Sequence, residues 1–192
     1  AATALREVGA EVDLVDLAEL GLPLHDGRIE QLHHPEVVAW VGRAQQADAQ
    51  VWVSPEFHSS FSGAMKNALD YLWSDHLQGK LVALIGVVGG AMGAVNTLNA
   101  LRLVARSMGA WVLPAQLSLT SAECKQGLGE ENRERIHGLA AEVVRFTPRL
   151  LQAWLAKAAA ERGARFDVKL NYPDGAWVGA GEPLLYIEGS LY

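Results

Sequence analysis

Cysteine is nearly absent: the 192 residues contain a single one, Cys124. No internal disulfide can form, and that usage points to a reducing compartment and a cytoplasmic location. Long apolar runs are missing too. The longest, around Leu81–Val88, falls far short of the ~20 residues that a helix needs to span a bilayer, so no membrane partner is expected. There is no cluster of Lys or Arg, and the formal charge is −6, which argues against nucleic acid or an anionic surface as partner. The histidines (His25, His33, His34, His58, His76 and His137) are scattered without metal-ligand spacing, so no metal is expected. Neither a G-x-S-x-G elbow, a P-loop nor a G-x-G-x-x-G fingerprint occurs.

What remains is the profile of a soluble globular chain, 50% apolar and 20% charged, with enough length for one ordinary domain. It opens on Ala1 in what reads as the last turns of a helix stopped at Gly9, which predicts that an upstream element is missing. Residues 10–17 (AEVDLVDL) follow as an expected strand, with Val12, Leu14 and Leu17 on its apolar side. Pro35 marks the start of a helix carrying Val37, Val38 and Val41 at helical spacing. QVWVSP reads as a short buried strand, EFHSSFSG as a loop and AMKNALDYLW as a helix. LVALIGVV is the clearest strand. GGAMGA, a helix ending at Gly109 and the strand WVLPAQLSL come next, followed by a long helical stretch expected to break at Pro148. Alternation of strand and helix to about residue 160 predicts an α/β fold, a doubly wound parallel sheet with helices on both faces.

In such a sheet ligands bind beyond the carboxyl ends of the strands. Two loops fall there, SPEFHSSFSG after Val53 and GGAMG after Val88, and both should face one crevice. Gly89, Gly90 and Gly93 let the backbone approach a ligand closely. Ser59 and Ser60 suit turns or caps. Lys66 reads equally well as a solvated charge, and Asn67 could hold the preceding loop. Phe57, taken alone, is better read as a core aromatic.

SPEFHSSFSGAMKNALDYL resembles the signature loop and helix of the NADPH-dependent FMN reductase family, and GKLVALIGVVGGAMGAVNTLNALRLVARSMGAWVLP resembles that family's next strand, glycine loop, helix and strand. The resemblance spans roughly residues 1–155. It implies a flavodoxin-like fold, bound FMN reduced by NAD(P)H, and electron transfer to free flavin, quinones, azo dyes or metal oxyanions. It also implies cofactor contacts from Pro55, Glu56, Phe57, His58, Ser59, Gly89, Gly90 and Gly93. Phe57 stands where the family more often has Tyr. Hydride transfer asks for position rather than for a general acid or base, so no catalytic side chain is nominated. The family commonly pairs as a homodimer through helices beside the flavin, with Trp40 and Trp73 as candidates for that surface, although each is better read as a core residue. The family's first strand and its phosphate loop are not recognisable at the start, so the fold is expected to be N-terminally incomplete.

Residues 1–160 are thus expected to form the reductase domain, with 165–192 as an extra β-hairpin-like tail turning at Pro173-Asp174-Gly175. The tail faintly resembles an early strand region of nicotinate phosphoribosyltransferases. Two other readings compete: a non-catalytic remnant of the fold, and the junction of a bifunctional protein. A further expectation is that residues 184–188 fold back into the main sheet and replace the missing strand.

Overall fold

A nearly continuous apolar run sets the architecture. LVALIGVV forms β3 (Leu81–Val88), flanked in parallel by β1 (Ala49–Phe57) on one side and β4 (Trp111–Thr120) on the other. A strand with parallel neighbours on both edges and helices on both faces has no solvent side, which is why apolar residues fill it without alternating. Residues 81–86 are all buried. A two-residue strand β2 (Ser60–Phe61) pairs antiparallel with the end of β1, giving the order β2-β1-β3-β4. The computed structural model describes residues 1–90, 92–161, 166–170 and 185–189, and forms two compact units, Ala1–Pro148 and Arg149–Tyr192.

The period of two along β3 sorts its side chains between the faces. Val82 and Leu84 join a core with Val37, Trp40 and Ala44 of α2 (Pro35–Gln46), Met65 and Leu69 of α3 (Gly63–Asp70), and Leu98 and Leu101 of α5 (Val95–Ser107). Two further helices belong to the opposite face. Val51 of β1 lines a small cavity there with Leu5 of α1 (Ala2–Glu7) and with Ile136, Leu139, Ala140 and Val143 of α7 (Glu130–Glu161). Between α3 and β3 lies the short α4 (Ser74–Leu77), and α6 (Ser121–Gln126) follows β4. Trp40 is 8% exposed and its indole N–H donates to the Ala68 carbonyl at 2.8 Å. It is a core residue, whereas Trp73 is exposed.

Several expectations fail for identifiable reasons. Residues 10–17 form no strand: 10–16 have no ladder partner among the described residues, and the outer edge of β1 is paired only at Glu56 and Phe57. The segment is held by side chains instead. The Arg43 guanidinium grips Asp13 at 2.7 and 2.6 Å and donates to the Leu14 carbonyl, and Arg6 donates to the Val12 carbonyl. Leu14 is 69% exposed, and Val15 takes its place beside Leu17 against the core. EFHSSFSG is not simply a loop, because its first six residues form a β-hairpin. The long helix runs through Pro148 without a break. Directly before the proline the Thr147 hydroxyl donates to the Val143 carbonyl at 2.6 Å.

In the second unit β5 (Phe166–Leu170) pairs antiparallel with β6 (Leu185–Gly189). These strands form their own two-stranded sheet, which overturns the expectation that residues 184–188 enter the main one. The Pro-Asp-Gly turn lies outside the described residues.

Gly86 fixes how closely α5 can approach the sheet. A Cβ there would collide with the Ala94 Cβ and lie 3.3 Å from Leu98 Cγ. Gly86→Ala should therefore lower the free energy of unfolding by about 1–3 kcal/mol through overpacking. At Gly42, inside α2, an added Cβ meets nothing within 4 Å, and Gly42→Ala should raise stability by about 0.5–1 kcal/mol. Urea midpoints of the two variants check both signs.

Candidate functional site

Because β1, β3 and β4 are parallel, their carboxyl ends open on one edge of the sheet, where an α/β fold binds ligands. At the end of β1 the chain turns back tightly. Phe57 pairs with Ser60, and the two residues between them, His58 (φ 49°) and Ser59 (φ 62°), both sit in the left-handed region. A two-residue hairpin turn with positive φ at both positions matches the twist of its strands, but it is normally built from Gly, Asn or Asp. Here it carries two side chains with Cβ atoms, and such backbone persists only when its surroundings hold it. The buried Ser54 does so: its hydroxyl donates to the Pro55 carbonyl at 2.9 Å and accepts the Ser62 N–H at 3.0 Å. Ser62 in turn caps α3 by accepting the Met65 N–H. Phe57 is 59% exposed, so it is not a core aromatic.

The second loop leaves β3 at Gly89 and Gly90. Both are exposed, and a Cβ on either would meet nothing within 4 Å. Packing within the chain therefore does not require glycine there, and the bare backbone faces open space. Gly93 is required, since its φ is +75° and the Ser118 hydroxyl of β4 lies 3.2 Å from where a Cβ would be. Met92 stands 93% exposed on this loop.

The crevice is tied together from both sides. Ser118 Oγ accepts the Ala94 N–H at 2.8 Å, and Glu56 Oε2 accepts the Thr97 N–H at 3.0 Å. Both bonds are made to the start of α5, one from β4 and one from β1, so the Glu56 carboxylate is engaged there. Thr97 Oγ1 is buried and has no hydrogen-bond partner. Between residues 53 and 61 and between 89 and 97 there is no Lys or Arg, and Glu56 is the one carboxylate.

A third strand end, where β4 passes directly into α6, was not among the sequence candidates. Thr120, Ser121 and Glu123 close the end of β4: the Thr120 hydroxyl accepts the Glu123 N–H at 3.2 Å, while Glu123 Oε2 accepts the Thr120 N–H at 2.6 Å. Asn132 donates to Glu123 Oε1, and the Ser121 hydroxyl donates to the Val88 carbonyl. The T-x-x-E spacing of a capping box was the available signal. Cys124 is exposed on α6. Asn67 serves a different loop from the one expected. Its side chain accepts the His25 N–H and donates to the Pro23 carbonyl, which Tyr71 also bonds. Lys66 pairs with Asp70 in solvent. A separate groove of about 440 Å³ lies between α2 and α4, lined by Val38, Val41, Tyr71, Trp73 and His76. It contains none of the crevice glycines.

Residues 1–123 match the family model for NADPH-dependent FMN reductase. An NADPH azoreductase of Bacillus sp. (strain OY1-2) is 37% identical over 134 residues, covering 69% of this chain and 75% of that protein. The NADPH-dependent FMN reductase ArsH of Shigella flexneri is 31% identical over 77% of this chain and 60% of its own length. Among solved structures, an oxidoreductase from Corynebacterium diphtheriae superposes with a TM-score of 0.62 at 24% identity, over 77% of this chain and 82% of that one. A flavodoxin from the domain Archaea does so at 0.55 and 15%, over 76% and 84%. At these identities the superpositions speak for the flavodoxin-like fold alone.

Two predictions concern the site's scaffold. Ser59→Val places a β-branched residue at positive φ and should cost about 1–2 kcal/mol, whereas Ser59→Gly should be neutral or slightly stabilising, read by thermal denaturation. The Glu123 carboxyl is held below its ordinary 4.5, first by the Thr120 backbone N–H, then by the Thr120 hydroxyl and the Asn132 side chain. A depressed carboxyl stabilises the fold above its unfolded value, and that contribution is lost as pH falls below 4.5 through the folded value. Acid unfolding followed by circular dichroism should show a shallower loss of stability below that point in Glu123→Gln.

Proposed function

The chain belongs to the NADPH-dependent FMN reductase family, and from that premise we propose that its crevice holds the FMN ring edge. An isoalloxazine needs a flat slot, main-chain groups along its polar edge and few charges. The hairpin Pro55–Ser59 offers backbone groups and the exposed Phe57 ring, and Gly89, Gly90 and Gly93 give backbone that a planar ligand can approach. The observation that carries this reading is the Glu56–Thr97 bond, which ties the hairpin at the end of β1 to the first turn of α5, the helix that the glycine loop leads into. FMN would supply hydride acceptance from NADPH and onward electron transfer. The protein's part is to bind, orient and shield, so no side chain is assigned a proton. Azo compounds and free flavin are the first acceptors to test, because relatives carry the names azoreductase and FMN reductase.

Residues 1–160 act as the reductase domain in this reading, and 165–192 as a separate β tail. NADPH supply fits a cytoplasmic setting. No helix among the described residues is long and apolar enough to cross a membrane. A homodimer would use the face around the exposed Trp73 and Val38 beside the α2–α4 groove.

FMN added to the purified chain should show saturable fluorescence quenching at micromolar concentration, followed by NADPH oxidation on addition of acceptor. Gly90→Trp should weaken binding by roughly tenfold or more while leaving the melting temperature close to that of the parent, since its side chain enters open space. A well-folded chain that binds no FMN would favour the non-catalytic remnant.

A further inference from the structure

The N–H groups at the start of a helix have no partner within the helix, and most helices satisfy them with a capping side chain close by. α5 begins differently. Its N-cap position is Ala94, whose side chain accepts nothing, and the first turn holds no acidic residue. Its acceptors come from neighbouring strands instead: Ser118 on β4 takes the Ala94 N–H, and Glu56 on β1, 41 positions earlier, takes the Thr97 N–H. The Glu56 carboxylate also supplies the negative charge that a helix N-terminus favours. Glu56 is the residue before the Phe57–Ser60 turn, and Thr97 lies in the first turn of the helix that the glycine loop leads into, so one side chain ties the hairpin to the start of α5.

We propose that Glu56 is a positioning residue: its carboxylate is a strut that sets the separation of the hairpin and the start of α5, and it is not itself a flavin contact. This rests on the reading of the crevice as the FMN site. The strut gives a role to the one carboxylate found within residues 53–61 and 89–97, which hold no Lys or Arg. Ser118 acts on the same helix start from the other side, so removing both acceptors should loosen it further than removing either.

The test compares Glu56→Ala, Glu56→Gln and Ser118→Ala in the full chain. Hydrogen exchange is read on peptides covering residues 92–101, and FMN affinity and the visible spectrum of the bound flavin are read in parallel. Glu56→Ala should speed exchange in that segment by roughly tenfold and weaken FMN by a similar factor. Gln keeps an acceptor oxygen, so Glu56→Gln should stay within about threefold of the parent on both readouts, with an unchanged flavin spectrum. Should Glu56→Ala fail to fold, Glu56→Asp, one methylene too short to reach, takes its place. The proposal is overturned if Glu56→Ala leaves exchange and affinity as they were. It is equally overturned if Glu56→Gln damages binding as much as Ala and alters the flavin spectrum, which would make the carboxylate a direct contact. A parent chain that binds no FMN sinks the flavin reading and the positioning role with it, while exchange still reports whether the strut exists.

Discussion

Buried backbone N–H groups must find acceptors, and at the start of α5 the helix has none of its own. Two strands meet that need at the carboxyl edge of the sheet. β1 delivers Glu56 and β4 delivers Ser118, from opposite sides of the strand that feeds the glycine loop. Gly86, by having no Cβ, leaves room for Ala94 and Leu98 of this helix start against β3. Had residue 86 carried a side chain, α5 would have to sit farther out, and both bonds would lengthen.

The same arrangement explains why unfavourable backbone is tolerated next door. His58 and Ser59 turn with positive φ, and the hairpin they close is pinned through Ser54 and Ser62 and, one residue before it, through Glu56. Loops that bind ligands gain from being held in one conformation before the ligand arrives. Here the holding is done by short polar side chains that are themselves buried or half-buried, while Phe57, Met92 and the bare glycines remain free to meet a ligand.

Much of the fold was legible because its signals are local. The run Leu81–Val88 became the central strand with its bounds unchanged, Pro35 opened α2, and the helix before Gly109 formed as its spacing suggested. The misses share a physical cause: each depended on a partner distant in sequence. Residues 10–17 have strand-like composition, yet a strand is defined by its ladder neighbour, and Arg43 holds this segment instead. Asn67 sits directly after the signature loop but bonds Pro23 and His25, more than forty residues away. The site was legible as two loops at strand ends. Their means of attachment was not, because nothing near Glu56 in sequence reveals that Thr97 lies opposite. The tail's hairpin-like character was legible, and its two described strands pair antiparallel with one another.

The most direct test of a flavin crevice is where FMN perturbs the protein. In a titration of the isotope-labelled chain followed by amide chemical shifts, the account predicts that the changes concentrate at residues 56–60 and 89–94, with the α2–α4 groove unaffected. Shifts centred on Val38, Val41 and Trp73 in that groove, or no shifts at saturating FMN, would contradict it.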